Sequence, residues 1–221
     1  MFKYEIKDRS LYLVLSEEYG RGRAGIEIAK AAISGGVDIL QMREKAMPRQ
    51  ELIRLGSRLL GLCRENSVTF IVNDDPLLAK ELDADGVHLG QEDLERFSVE
   101  RARAILGKDR IIGVSTHSVR QFKIANESDV DYIAFGPIFP TKTKDYFLGT
   151  AHIKAVVEMA KKPSFFIGGI NLSNIDEVLR EGARGIALIR GILEADDIAS
   201  AARSFKERLK QVFKRRPWKI D

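Results

Sequence analysis

Thr69–Leu94, TFIVNDDPLLAKELDADGVHLGQEDL, decides the fold. The run at 69–74 predicts a strand, 77–82 a short helix and 86–90 a second strand. Short apolar runs bounded by polar residues mark strands covered on both faces. The first strand ends in Asn73, Asp74 and Asp75, and the second in Gln91, Glu92 and Asp93. If the two strands are parallel neighbours, their C-terminal ends point the same way. Two carboxylate clusters then meet at one face of a sheet. Converging hard oxygen ligands suit Mg²⁺ rather than a soft metal.

The same alternation extends in both directions. Apolar strand runs are predicted at 11–16 (LYLVLS), 38–44 (DILQMRE), 110–116 (RIIGVST), 131–137 (DYIAFGP), 164–169 (SFFIGG) and 185–190 (GIALIR). Between them lie helical periodicities at 25–36, 48–66, 99–106, 119–127, 153–161, 172–181 and 197–215. Asn171 or Ser173 offers an N-cap for the helix at 172–181. Eight strand–helix units in 221 residues, with no Pro/Gly-rich linker, predict an α/β fold of one kind. It is a single-domain (β/α)8 TIM barrel spanning 1–221. The alternative, a doubly wound open sheet, usually has fewer units. No glycine-rich dinucleotide fingerprint follows the first strand here. The polar segment 138–150, longer than an ordinary connection, is a candidate lid.

Composition narrows the setting. The chain is 44% apolar and 31% charged, with one cysteine. No internal disulfide can form, and Cys63 shares an apolar helical register with Leu59 and Leu60, so it reads as a buried thiol. The first residues lack the apolar core of a signal peptide, and no run approaches the roughly 18 apolar residues of a membrane span. The expectation is a cytoplasmic protein that does not bind a membrane. The net charge is +4, with many basic residues at the end (KERLKQVFKRRPWKID). No nucleic-acid motif accompanies that tail, so it reads as a solvated final helix, with no nucleic acid as partner. Oligomeric state is left open, a homo-oligomer included.

In a barrel, chemistry gathers at the C-terminal strand ends. Strand two supplies Gln41, Arg43, Glu44 and Lys45. Strand three supplies Asn73 and Asp74, strand four Gln91 and Asp93, and strand five Ser115, Thr116 and His117. Strand six leads to Thr141, Lys142, Thr143 and Lys144. Strand seven ends at Gly168-Gly169, and strand eight at Arg190-Gly191. Singly, each has a plainer reading. Arg43–Lys45 suits a solvated turn, Asp74 the N-cap of a helix near Pro76, and Arg190 a loop salt bridge. Their coincidence on one face argues for a site. The loops after strands seven and eight suit a phosphate, because glycine lets backbone N–H groups approach an anion. The economical reading is two anionic, phosphorylated small-molecule substrates, one of them carrying a Mg²⁺-bound diphosphate.

QMREK, NDDPLLAKELDADGVHLGQEDL, IGVSTHS, FGPIFPTKTK and FIGGINLSN, in this order, resemble the thiamine phosphate synthase family over nearly the whole chain. The resemblance implies a transferase of thiamine biosynthesis with Mg²⁺ as cofactor. It would join hydroxymethylpyrimidine diphosphate to a plain or carboxylated thiazole phosphate and release diphosphate. It further implies that Gln41, Met42, Arg43, Glu44 and Lys45, with Asn73, Ser115 and Lys144, bind the pyrimidine diphosphate. Asp74 and Asp93 would hold Mg²⁺. Thr141, Lys142 and Thr143, with Gly169, Ile189 and Arg190, would bind the thiazole phosphate. Arg190 stands where the family often has serine. Arg43, Lys45, Lys144 and Ser115 would assist the departure of diphosphate from a resonance-stabilised pyrimidine cation, which the thiazole nitrogen then attacks. A sister branch isomerises the thiazole with a histidine at the place of His117, but generally lacks the acidic pair. A non-catalytic barrel that binds phosphorylated ligands is the remaining alternative.

Overall fold

The protein is described by a computed structural model over residues 6, 9–142 and 144–211. The strands are β1 Leu11–Leu15, β2 Ile39–Met42, β3 Thr69–Asn73, β4 Gly86–Leu89, β5 Ile111–Thr116, β6 Tyr132–Phe135, β7 Ser164–Ile167 and β8 Gly185–Leu188. Each pairs in parallel with the next, and β8 returns to β1, so the sheet closes into a barrel. The helices are α1 Gly25–Ser34, α2 Arg49–Glu65, α3 Pro76–Glu81, α4 Val99–Leu106, α5 Val119–Glu127, α6 Ile153–Met159, α7 Ile175–Arg180, α8 Arg190–Leu193 and α9 Ile198–Gln211. The expected (β/α)8 TIM barrel is therefore the architecture, and the doubly wound sheet is excluded.

Local chemistry sets several helix starts. Ser98 accepts from Arg101 N–H at 3.2 Å and Ser118 from Gln121 N–H at 3.1 Å, so each satisfies a backbone donor that its helix leaves unpaired. Asp75 caps α3 by accepting from Leu77 and Leu78 N–H, and Pro76 occupies the first turn, where its missing N–H costs nothing. The cap that the plainer reading gave to Asp74 therefore belongs to its neighbour.

The eighth and seventh units differ from expectation. The helix after β7 begins at Ile175 rather than near Leu172, and neither Asn171 nor Ser173 caps it. Asn171 Oδ1 accepts from Ser173 N–H at 2.9 Å, and Asn174 Oδ1 accepts from Asn171 N–H at 2.8 Å. These side chains give the backbone a local alternative to helix, so a turn persists until Asn174. Strand β8 stops at Leu188, and Arg190 opens the short helix α8 instead of ending the strand. Part of the basic tail, 212–221, lies outside the described residues. Within α9, Lys206 Nζ reaches Asp38 Oδ2 at 2.5 Å, and Arg208 pairs with Asp176, so these charges tie the helix to the barrel. Among the described residues no helix is long and apolar enough to cross a membrane.

Alternation along the strands separates two apolar layers. Outward residues such as Leu13, Leu40, Met42, Val72 and Val87 pack under the helices, where α2 contributes Leu55, Leu59 and Cys63. Burial pushes the Cys63 thiol up to about 12, as expected of an inert core cysteine. Inward residues Tyr12, Val14, Ile39, Ile71, Ile111, Tyr132, Phe165 and Ala187 fill the barrel. Tyr12, Tyr132 and Phe165 meet edge to face, with centroids 5.2 to 5.8 Å apart. Gly113 makes room for them: a Cβ there would overlap the Tyr132 ring. Gly113→Ala is accordingly expected to overpack the barrel and cost about 1–3 kcal/mol. This would be read as a lower urea midpoint at unchanged slope. A wild-type midpoint would mean that Tyr132 can move aside freely.

Candidate functional site

Above the aromatic layer the inward positions turn polar. A cleft of about 200 Å³ opens there, lined by Arg43, Lys45, Asn73, Asp74, His88, Gly90, Gln91, Glu92, Asp93, Ser115, His117 and Lys144. It spans the ends of β2 to β5 and the segment after β6. Nine of the polar residues that the sequence places at or after the strand ends therefore converge: Arg43, Lys45, Asn73, Asp74, Gln91, Asp93, Ser115, His117 and Lys144.

Asp74 and Asp75 are adjacent in sequence but have separate tasks. Asp74 adopts φ 65°, in the left-handed region that Asp tolerates better than most residues, while its N–H donates to His88 O at 2.8 Å. That bend sends Asp74 to the cleft and Asp75 to the head of α3. Burial, then a hydrogen bond to the Asp93 carboxyl and its charge, push the Asp74 carboxyl well above the usual carboxylate range; Lys45 and Arg43 pull the other way. Asp93 also closes its own turn, with Oδ2 accepting from Gly90 N–H at 3.1 Å. Gln41 is buried below, and its Nε2 donates to Asn73 Oδ1 at 3.1 Å, fixing how Asn73 faces the cleft. Lys144 lies 3.7 Å from Glu92 in an exposed ion pair.

The other expected residues are placed elsewhere. The Met42 side chain points away from the barrel interior into the layer beneath α2, so only its backbone belongs to the mouth. Glu44 accepts from Glu17 N–H at 2.6 Å, and burial raises its pKa above the ordinary value, so its carboxylate braces the loop after β1. Thr141 accepts from Lys144 N–H at 3.2 Å, and Lys142 is exposed. Thr143 lies outside the described residues. Gly168 and Gly169 have φ 99° and 65°, and a Cβ on Gly169 would lie 2.6 Å from Pro140 O. Glycine there lets the segment after β6 pack directly on the end of β7. Gly169 O accepts from Asn174 Nδ2 at 3.0 Å. Ile189 precedes α8 as its N-cap residue. The Arg190 guanidinium stacks 4.5 Å from the Tyr19 ring centre and approaches Glu194 at 3.4 Å. Its charge already has partners, as the plainer reading held.

Sequence reasoning missed His88. It is buried at the floor of the cleft, with Nδ1 2.9 Å from Tyr132 Oη and Nε2 2.8 Å from Ser115 Oγ. Strand alternation carried the signal: His88 lies between the outward Val87 and Leu89, so it must point inward. His117, whose role was open, has Nδ1 2.6 Å from Gly136 O and packs edge-on to Tyr146 of the 138–150 segment. Leu148 and Gly149 N–H bond back to Pro137 and Ile138 O, which holds that segment beside the cleft.

The donor set fits Mg²⁺. Asp74 and Asp93 bring two carboxyl groups into contact, and their mutual repulsion is what a divalent cation relieves. Among the described residues no group of three or more His, Cys, Asp or Glu is arranged to hold a metal. Mg²⁺ is the ion that manages with one or two protein carboxylates, completing its octahedron with waters and substrate phosphates.

The chain is similar to known proteins along most of its length. Residues 11–192 match the family model described as thiamine monophosphate synthase. It is 37% identical over 209 residues to thiamine-phosphate synthase of Halalkalibacterium halodurans, covering 93% of this chain and 98% of that protein. With the Thermus thermophilus thiamine-phosphate synthase it shares 41% identity over 203 residues, 90% of this chain and 96% of that one. The solved thiamine phosphate pyrophosphorylase from Pyrococcus furiosus superposes with TM-score 0.85 at 33% identity, covering 93% and 97% of the two chains.

Burial lowers the His88 pKa from 6.5 to about 4, so the folded protein keeps this imidazole neutral. As pH falls, the unfolded chain takes that proton first. The stability His88 confers is thus complete above about pH 6.5 and is lost as pH falls toward 4. The urea midpoint should decline between pH 7 and pH 5, and less steeply in His88→Asn. An equal decline in the variant would place the acid sensitivity in another group.

Proposed function

We infer that this chain, which belongs to the thiamine monophosphate synthase family and carries that transferase activity, seats its two substrates on opposite sides of the barrel mouth. The pyrimidine diphosphate occupies the cleft above β2 to β5, and the thiazole phosphate lies toward β6 to β8. One observation carries this reading: Asp74 and Asp93 meet in a cleft that also holds Arg43, Lys45 and Lys144. Paired acids with three surrounding cations suit a diphosphate that would arrive with a divalent cation, and neither group suits it alone.

Asp74 and Asp93 are the residues that would hold Mg²⁺, which supplies charge neutralisation for the diphosphate. The protein's own groups do the rest. Arg43, Lys45 and Lys144 stabilise negative charge that grows on the diphosphate as its bond to the pyrimidine methylene breaks. Gln41, through Asn73, orients the pyrimidine, and Ser115 donates to the departing group. The methylene carbon carries a positive charge shared with the ring until the thiazole nitrogen bonds to it. No side-chain nucleophile is required, and the buried Cys63 offers none. Water is excluded by the 138–150 segment, whose Tyr146 packs edge-on to His117 at the cleft. Thr141, Lys142 and Thr143, with Gly169, Ile189 and Arg190, receive the thiazole phosphate. For Arg190 this means leaving Tyr19 and Glu194 or sharing its charge with them. The protein works in the cytoplasm, on small phosphorylated molecules.

Asp74→Asn should lower kcat by at least about tenfold and raise the Mg²⁺ concentration needed for half-maximal rate, measured as diphosphate release. A variant with wild-type Mg²⁺ dependence would remove Asp74 from the metal site. Arg190→Ser should change mainly the KM for the thiazole phosphate. An unchanged KM would mean that Arg190 serves only its stack with Tyr19.

A further inference from the structure

The barrel interior contains a chain of buried polar groups that the reading above uses only at its last member. Tyr12 Oη lies 2.8 Å from Tyr132 Oη, Tyr132 Oη 2.9 Å from His88 Nδ1, and His88 Nε2 2.8 Å from Ser115 Oγ. Both tyrosines and His88 are buried, and Ser115 lines the cleft. The chain thus runs from the aromatic floor to the site. Distances alone leave two directions for its hydrogens.

Counting donors and acceptors selects one. Neutral imidazole has one N–H donor and one acceptor nitrogen, and each hydroxyl carries one hydrogen. If Ser115 donated to Nε2, then Nδ1–H would donate to Tyr132, and Tyr132 to Tyr12. The Tyr12 hydrogen would then need an acceptor. Among the described residues Tyr132 is the one hydrogen-bond partner of Tyr12, whose ring otherwise meets Phe165 and Tyr132 edge to face. A buried hydroxyl hydrogen with no acceptor is costly. In the opposite direction Tyr12 donates to Tyr132, Tyr132 to Nδ1, and Nε2–H to Ser115 Oγ. Every hydrogen inside the barrel is then used. The Ser115 hydroxyl, its oxygen already occupied by His88, keeps a free hydrogen at the cleft wall. Gln91 Nε2 holds the backbone there by donating to Ser115 O at 2.6 Å.

We propose that Tyr12, Tyr132 and His88 form a one-way hydrogen-bond relay that fixes His88 as its Nε2–H tautomer and obliges Ser115 to donate toward an oxygen of the leaving diphosphate. His88 and Tyr132 are positioning residues: they act through Ser115 and do not touch the substrate. The identity of the acceptor rests on the substrate placement proposed above, but the direction of the relay does not. The relay also accounts for a histidine that is neutral in the barrel interior. Its Nδ1 already receives a hydrogen from Tyr132, so the neutral form satisfies both neighbours.

Two measurements test this. Imidazole ¹⁵N shifts of the full-length wild-type protein at pH 7 should show His88 protonated at Nε2 and bare at Nδ1. An Nδ1–H tautomer overturns the relay, whatever the activity assay gives. A kinetic cycle tests its use. Tyr132→Phe and Ser115→Ala should each lower kcat by roughly tenfold, in the range for loss of one aimed donor, with the KM for the thiazole phosphate within about twofold. Tyr132→Phe should have no further effect in the Ser115→Ala background. Losses that multiply would mean that Tyr132 acts by supporting the barrel rather than through Ser115. Thermal midpoints of the variants identify any that fail to fold. Absence of diphosphate release by the wild type would instead sink the substrate assignment and leave the tautomer result standing.

Discussion

Closing eight parallel strands on themselves leaves a strand side chain only two destinations: the barrel interior or the layer beneath the helices. That constraint governs this molecule. Val72 and Val87 must go outward, so Asn73 and His88 must go inward, and the same parity carries Gln41 and Ser115 to the axis. Because successive strands run in the same direction, all these inward residues near the C-terminal ends arrive at one mouth. The cleft follows directly from closure and register.

The interior is graded as a consequence. Its lower part is apolar and aromatic, with Gly113 omitting a side chain where Tyr132 needs space. Its upper part is polar and charged. Tyr12, Tyr132 and His88 bridge the two, because phenol and imidazole rings pack like hydrocarbons yet carry polar atoms that can be satisfied in series. The dry floor makes the polar groups above it more directive: a hydroxyl in this setting has few partners, and so few orientations. The aromatic packing and the orientation of Ser115 are in this sense one feature.

The mouth is divided by its own loops. Acids and cations cluster over β2 to β5, while the loops after β6, β7 and β8 are held to one another by backbone approach. Gly169 meets Pro140, and Ile170 O lies 2.9 Å from where a Cβ on Gly191 would be. Tyr19, from the loop after β1, receives the Arg190 guanidinium and closes the ring on that side. A serine at position 190 would leave Tyr19 without this cover.

The sequence by itself determined the barrel, because eight apolar runs alternating with helical periodicities satisfy few other topologies. It also determined that Asp74, Asp93, Arg43, Lys45, Asn73, Ser115 and Lys144 share a face, since strand ends in such a fold point one way. Local hydrogen bonding decided what that pattern left open. Asp75 rather than Asp74 caps α3, because a left-handed turn at Asp74 divides adjacent aspartates between two tasks. The start of α7 was displaced by asparagine side chains that compete with the helix for backbone donors. Met42 and Glu44 sit in a motif whose neighbours enter the cleft, yet the pleat sends one side chain outward and the loop after β1 engages the other. The link from Tyr12 through Tyr132 and His88 to Ser115 joins residues up to 120 positions apart. No local pattern encodes such a contact. It exists only where the closed barrel brings strands β1, β4, β5 and β6 around one axis.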